Sequence, residues 1–148
     1  MKKQNAYALM KEKHQKEVNA FPLGACFNNQ QFADMMEKWG LTVTDTDKIV
    51  SLGASCYIRK SDVTAFNEMF ERHVKDRETA IANDTTGDGF IYDMFIYELA
   101  NHEYCITYDY EDTFDALGLS YKQVARDKRL LHGLKKAEKD YLKNRNNL

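Results

Sequence analysis

Between Glu78 and Tyr121 the chain has no lysine or arginine, in a stretch that carries ten carboxylates: Glu78, Asp84, Asp88, Asp93, Glu98, Glu103, Asp109, Glu111, Asp112 and Asp115. A stretch of that composition can fold and still present a face of one sign, which makes it the candidate working surface. Proline is nearly absent too: Pro22 is the single one, and no Ser/Gly-rich or low-complexity tract occurs. Nothing therefore reads as a linker, and 148 residues with 43% apolar content predict one domain over 1–148 with a well-buried core. The start, Met1-Lys2-Lys3-Gln4-Asn5, has no apolar segment behind it, because Lys11, Glu12, Lys13 and Lys16 interrupt the pattern. No secretory signal or membrane span is expected, and the far end, Asn144 to Leu148, reads as frayed.

Cysteines are few and odd in number, Cys26, Cys56 and Cys105, with no C-x-x-C pair and no histidine at zinc-ligand spacing. This argues against a disulfide scaffold or zinc module and for a reduced, cytoplasmic protein whose thiols pack as small apolar groups. A glycine-rich phosphate loop, a P-loop and a dinucleotide fingerprint are all missing, so no motif supports a nucleotide-using enzyme, and no cofactor is expected.

What is present is a hidden charge asymmetry. Residues 1–77 hold 12 basic and 10 acidic side chains, 78–121 hold none and 10, and 122–148 hold 9 and 3. The acidic block also contains half of the aromatic residues. A near-neutral total with such segments implies a partner of opposite sign, or two segments of the chain lying against each other.

The periodicity is mostly helical. Ala6 to Ala20 sets Met10, His14, Val18 and Phe21 on one stripe and stops at Pro22; Asn28 or Asn29 caps a helix with Phe32, Met35, Met36 and Trp39 inward, closed by Gly40. A helical turn is expected from Asp45 to Leu52. Ser61 or Asp62 opens a long helix burying Val63, Phe66, Met69, Phe70, Val74 and Ile81, and helices follow at Phe90–Asn101, Glu111–Leu117, Ser120–Arg126 and Leu130–Lys143. Leu23–Phe27, Ala54–Arg59 and Glu103–Tyr108 read as strands, the last by its alternation of Tyr104, Ile106 and Tyr108 with Glu103, Cys105 and Thr107. The fold class is thus α+β, a mostly helical domain with a small sheet of about three short strands. An outline beginning Phe27-Asn28 and passing through Gly40-Leu41-Thr42 to Gly53 recurs from Tyr108-Asp109 through Gly118-Leu119-Ser120 to Gly133, through duplication or through recurrent glycine caps.

Four constellations invite chemistry. Asp84-Thr85-Thr86-Gly87-Asp88-Gly89-Phe90-Ile91 resembles a calcium loop but has Phe95 where the bidentate carboxylate belongs, so a polar turn with Asp88 as helix cap, and Gly87 or Gly89 at positive φ, is the plainer reading, and no metal is expected. His102, Glu103 and Cys105 contain the parts of a nucleophile and its base, yet sequence neighbours on an extended strand need not converge. Tyr108 to Asp115 interleaves aromatic rings with carboxylates, either as a face for a basic protein or as an ordinary acidic helix start. The basic end, with Lys135, Lys136 and Lys139 at helical spacing, serves direct nucleic-acid binding or a solvated face.

The runs Ile58-Arg59-Lys60-Ser61-Asp62, Gly89 to Phe95 with Tyr97-Glu98-Leu99, Asn101 to Asp109, Leu117-Gly118-Leu119 and Leu131 to Lys136 resemble an uncharacterised family of small proteins from phages, conjugative elements and gut bacterial genomes. That resemblance supplies no catalytic residues. It implies an accessory protein that binds a host protein, inhibitors of CRISPR nucleases being one such class. The expected contact residues for a basic, nucleic-acid-handling host protein are Tyr92, Asp93, Tyr110, Glu111, Asp112 and Asp115. Direct nucleic-acid binding through Lys135, Lys136 and Lys139, and a small enzyme with a His102/Cys105 or Asp84–Asp93 site, are the rival readings.

Overall fold

The structure is a computed structural model that describes residues 4–146. The chain divides into two compact units, one spanning Lys16–Lys75 and the other formed by the described residues up to Gln15 and from Asp76 onward. The elements run α1 (Ala6–Ala20), β1 (Gly24–Ala25), α2 (Asn29–Lys38), a 3-10 turn (Thr46–Lys48), β2 (Ile49–Gly53), β3 (Cys56–Arg59), a second 3-10 turn (Lys60–Asp62), α3 (Val63–Asn83), α4 (Phe90–Asn101), α5 (Tyr104–Thr107), α6 (Glu111–Leu117), α7 (Tyr121–Arg126) and α8 (Lys128–Asn146). The α+β class holds: helices dominate and one three-stranded antiparallel sheet is present. Among the described residues no helix is long and apolar enough to cross a membrane. Of the expected frayed end, 147–148 lie outside the described residues.

In the Lys16–Lys75 unit the strand order is β1-β3-β2, with Gly24 opposite Tyr57 and Ile49 opposite Arg59. Two expectations are corrected here. The Asp45–Leu52 helical turn ends at Lys48, and Ile49–Gly53 pairs as a strand instead. The apolar i, i+3 spacing of Ile49 and Leu52 suits a helical face, but the β-branched Ile49-Val50 pair favours the strand. Phe70 and Val74 of α3, expected on its buried face, are exposed, while Met69 and His73 are buried. The Asn28 side chain caps α2 by accepting from Gln31 N at 2.8 Å. Cys26, Met35 and Met36 form the small core beneath Phe32, Trp39, Leu41, Ile49 and Tyr57. Burial pushes the Cys26 thiol up, as befits a packing group. The other two thiols, Cys56 and Cys105, are only partly buried, and all three are free.

The second unit is organised around α4, whose Ile91, Met94, Phe95 and Leu99 are fully buried. Apolar on more than one side, α4 packs against α8 and α6. The start of α8 comes so close that a Cβ on Gly133 would meet Ile91 Cγ2 at 2.5 Å and the Gly87 carbonyl oxygen at 2.7 Å, so only glycine fits there. Upstream of α4 the Asp84 carboxylate accepts from the backbone N–H groups of Thr86, Gly87, Gly89 and Ile91 at 3.2, 2.9, 3.0 and 3.0 Å. Asp84, not Asp88, is therefore the residue that satisfies the helix start, and both of its oxygens are taken up by the loop itself. Gly87 supplies the positive φ.

The recurrent outline has a local cause. Both α2 and α6 end in a left-handed glycine, Gly40 and Gly118, followed by a leucine whose N–H returns to the helix, Leu41 to Met36 O at 2.7 Å and Leu119 to Phe114 O at 2.9 Å. Beyond these caps the segments diverge, since Gly53 ends a strand and Gly133 lies inside α8.

Candidate functional site

The segment Glu103–Tyr108, expected as a strand, is instead the four-residue helix α5 held between two left-handed residues, Glu103 (φ 52) and Tyr108 (φ 52). Neither is glycine, so each costs about 1 kcal/mol or more of backbone strain. The consequence is local display: Tyr104 points into the core, while Ile106 and Tyr108 are 65% and 67% exposed.

Behind that display lies an aromatic array. Tyr108 meets Tyr104 edge-on at 5.7 Å, Tyr104 stacks on Tyr110 at 4.9 Å, Tyr110 stacks on Phe114 at 5.3 Å, and Phe114 meets Tyr121 edge-on at 4.8 Å. Glu138 of α8 accepts from the Tyr104 hydroxyl at 3.2 Å and from the Tyr110 hydroxyl. Burial, then the bond to Glu138, raises the Tyr110 phenol well above its ordinary range. The two exposed ends of the array, Tyr108 and Tyr121, flank the acids. Tyr121 donates to Asp109 Oδ1 at 3.1 Å, and the same oxygen accepts Glu111 N at 2.9 Å.

Of the six residues expected to contact a partner, the structure brings Tyr110, Glu111, Asp112 and Asp115 together on and beside α6. Glu111, Asp112 and Asp115 are exposed, and among the described residues none has a lysine or arginine within ion-pair distance. Tyr92 and Asp93 are elsewhere. Asp93 is 5% exposed and its Oδ2 accepts Ala6 N at 2.9 Å, closing the start of α1. Tyr92 is partly buried and donates to Asp140 Oδ2 at 2.7 Å.

The basic helix α8 does not cover the acids of α6. Its Lys136, itself exposed, bonds Asp88 at 3.0 Å, shares it with His132, and lies over the Tyr92 ring at 5.3 Å, whereas Lys135 and Lys139 are exposed and have no ion pair among the described residues. The His102/Cys105 pairing is not formed either: His102 Nε2 lies 3.0 Å from Glu98 Oε2. No group of three His, Cys, Asp or Glu among the described residues has metal-binding geometry.

Sequence reasoning missed the most elaborate polar cluster. Glu98 is fully buried and is met by the Tyr7 hydroxyl at 2.7 Å, Lys11 Nζ at 3.0 Å, His102 Nε2 at 3.0 Å and Asn101 Nδ2 at 3.4 Å. Burial pushes its carboxyl up, but the bonds from Tyr7 and Lys11, with the Lys11 charge, outweigh it and hold Glu98 below the usual carboxylate range. The only hint lay in helical spacing, which puts Tyr7 and Lys11 on one face of α1.

No curated protein and no solved structure matches this chain. A family of unknown function matches residues 6–140, nearly all of the chain, including α1, the aromatic array, the acidic helix and most of α8. The chain therefore belongs to that family, DUF7659, a family of unknown function.

Proposed function

We propose that this is a non-enzymatic binding protein that captures a basic, nucleic-acid-handling protein on the face built by α5 and α6. The observation that carries this reading is the exposed, unpaired state of Glu111, Asp112 and Asp115 beside Ile106, Tyr108 and Tyr121. An ordinary helix start explains Glu111 and Asp112, which favour the macrodipole. It does not explain Asp115, which sits in the last turn of a seven-residue helix, where a carboxylate opposes the dipole and repels Glu111 at i−4 and Asp112 at i−3. Each term is worth only about 0.2–1 kcal/mol, but all have the wrong sign for stability. Apolar and aromatic anchors next to exposed, unpaired carboxylates are what a docking face for a cationic protein needs. Among such partners, a host CRISPR nuclease is the one that the resemblance to mobile-element proteins favours.

The test is capture from a bacterial lysate by tagged wild-type protein and by the triple variant Glu111→Lys, Asp112→Lys, Asp115→Lys, each with and without nuclease treatment. Nuclease-resistant capture of a basic protein by the wild type alone supports the reading. Capture that survives charge reversal rejects this face, and capture that vanishes with nuclease favours direct nucleic-acid binding through Lys135, Lys136 and Lys139.

A further inference from the structure

In the Lys16–Lys75 unit an open cavity of about 570 Å³ lies between the end of α2, the first 3-10 turn and the end of β3. Its wall combines Trp39 and Leu41 with Lys48, Arg59, Lys60 and Ser61, so three cations face one lining carboxylate, Asp47. The size falls within the range of small-ligand sites, and the lining combines apolar with charged and polar groups.

Arg59 is the best organised of these groups. Its Nε donates to Asp62 Oδ2 at 2.8 Å, and its guanidinium lies 5.9 Å from the centre of the Trp39 ring. Among the described residues its two terminal amino groups have no hydrogen-bond partner. A cavity-lining guanidinium held at its Nε edge, with both terminal amino groups unpartnered, is partly ordered for an oxyanion. Lys60 has no ion pair among the described residues, whereas Lys48 is partly drawn to Asp45 at 3.8 Å. Ser61 lies in the 3-10 turn that leads into α3, so the positive end of that helix adds to the same field. Trp39 is the aromatic ring of that lining, and an aromatic ring is the kind of surface that takes a flat heterocycle.

We infer that this cavity is a nucleotide site, with the phosphate held by Arg59 and Lys60 and the base stacked on Trp39. The shared chemistry is a planar base joined to a phosphate, present both in a free mononucleotide and in a single strand of nucleic acid. The site is separate from the acidic face proposed above and stands or falls independently of it.

Trp39 is the only tryptophan of the chain, so its fluorescence reports on the cavity directly. Adenosine 5′-monophosphate, a short oligothymidylate and inorganic phosphate are titrated separately into the wild type, Arg59→Ala and Lys60→Gln, with circular dichroism confirming that each is folded. The expected result is saturable quenching by the mononucleotide or the oligomer, weakened by salt and reduced about tenfold or more in affinity by either substitution. Tighter binding of the mononucleotide identifies a free-nucleotide site, and tighter binding of the oligomer a strand-binding site. Absence of quenching by both up to ~5 mM, a limit that corresponds to binding too weak for a specific site, overturns the inference. So does equal quenching in Lys60→Gln, whose exposed side chain makes misfolding an inadequate excuse, or phosphate displacing the nucleotide as well as the nucleotide itself binds.

Discussion

The Tyr7 hydroxyl donates a 2.7 Å hydrogen bond to the Glu98 carboxylate, joining two buried residues 91 positions apart in sequence. Through this bond and that of Lys11, the first two turns of α1 are fastened to the end of α4. Replacing Tyr7 by Phe removes one donor and leaves Lys11, His102 and Asn101 in place, so a loss of about 1–2 kcal/mol is expected. Glu98→Ala strands the buried hydroxyl and should cost more, about 2–4 kcal/mol, tempered by the partial exposure of Lys11. Urea unfolding of the three proteins measures both; equal stability of wild type and Glu98→Ala would contradict the placement of α1.

Acid stability follows from the same carboxylate and from Asp84. At Asp84 burial raises the carboxyl, but the backbone donors of Gly87, Ile91, Thr86 and Gly89 together prevail and lower it. Both groups are held below their unfolded values, near ~4. Their contribution is therefore complete above that pH and is lost as pH falls through the folded values. Unfolding free energy should be flat from pH 7 to 5 with respect to these two groups and decline below ~4. Asp84→Asn should start lower at neutral pH and lose less on acidification. An unchanged acid slope would show that the loop carboxylate is not engaged as described.

Gly133→Ala sets a methyl group against Ile91 and the Gly87 carbonyl, one of them backbone that cannot turn aside. Overpacking of this kind costs about 1–3 kcal/mol. A melting temperature equal to that of the wild type would mean that α8 and α4 do not approach so closely.

The turn joining β2 to β3 holds Ala54 (φ 50) and Ser55 (φ 63) in the left-handed region, where Asn and Gly belong. The double substitution Ala54→Asn, Ser55→Gly should raise stability by about 0.5–1 kcal/mol. Denaturant titration decides, and a loss would mean that the turn adopts another geometry.

Asp115 separates stability from binding. Asp115→Lys removes a like-charge contact and an unfavourable dipole term, so the protein should be unchanged or more stable by a few tenths of a kcal/mol. Partner capture should nevertheless weaken. A variant that is both less stable and still competent in capture would assign Asp115 to the fold.

Much of the helical layout was legible in the residues, because local chemistry sets it. The full bounds of α1, α4 and α6 follow from Pro22, the Gly87–Gly89 turn and Gly118, and Ser120 opens α7 with a reciprocal bond to Gln123. Where two periods fit a short run, the reading failed. Ile49–Gly53 and Glu103–Tyr108 exchanged roles, one becoming a strand and the other a helix, since five or six residues do not separate a period of 2 from one of 3.6. The left-handed residues Glu103 and Tyr108 carry no sequence signal at all, being neither glycine nor asparagine. At the candidate site the exposed acids of α6 were anticipated, whereas Asp93 and Glu98 were indistinguishable from them. Their burial depends on Ala6, Tyr7 and Lys11, partners about ninety residues away that local pattern cannot identify.

The most direct test of the binding account is amide hydrogen exchange on the captured complex, compared with the free protein. Protection confined to residues 103–117, covering α5 and α6, is the predicted result. Protection that leaves this segment unchanged and falls instead on α8 or on the Lys16–Lys75 unit would contradict it.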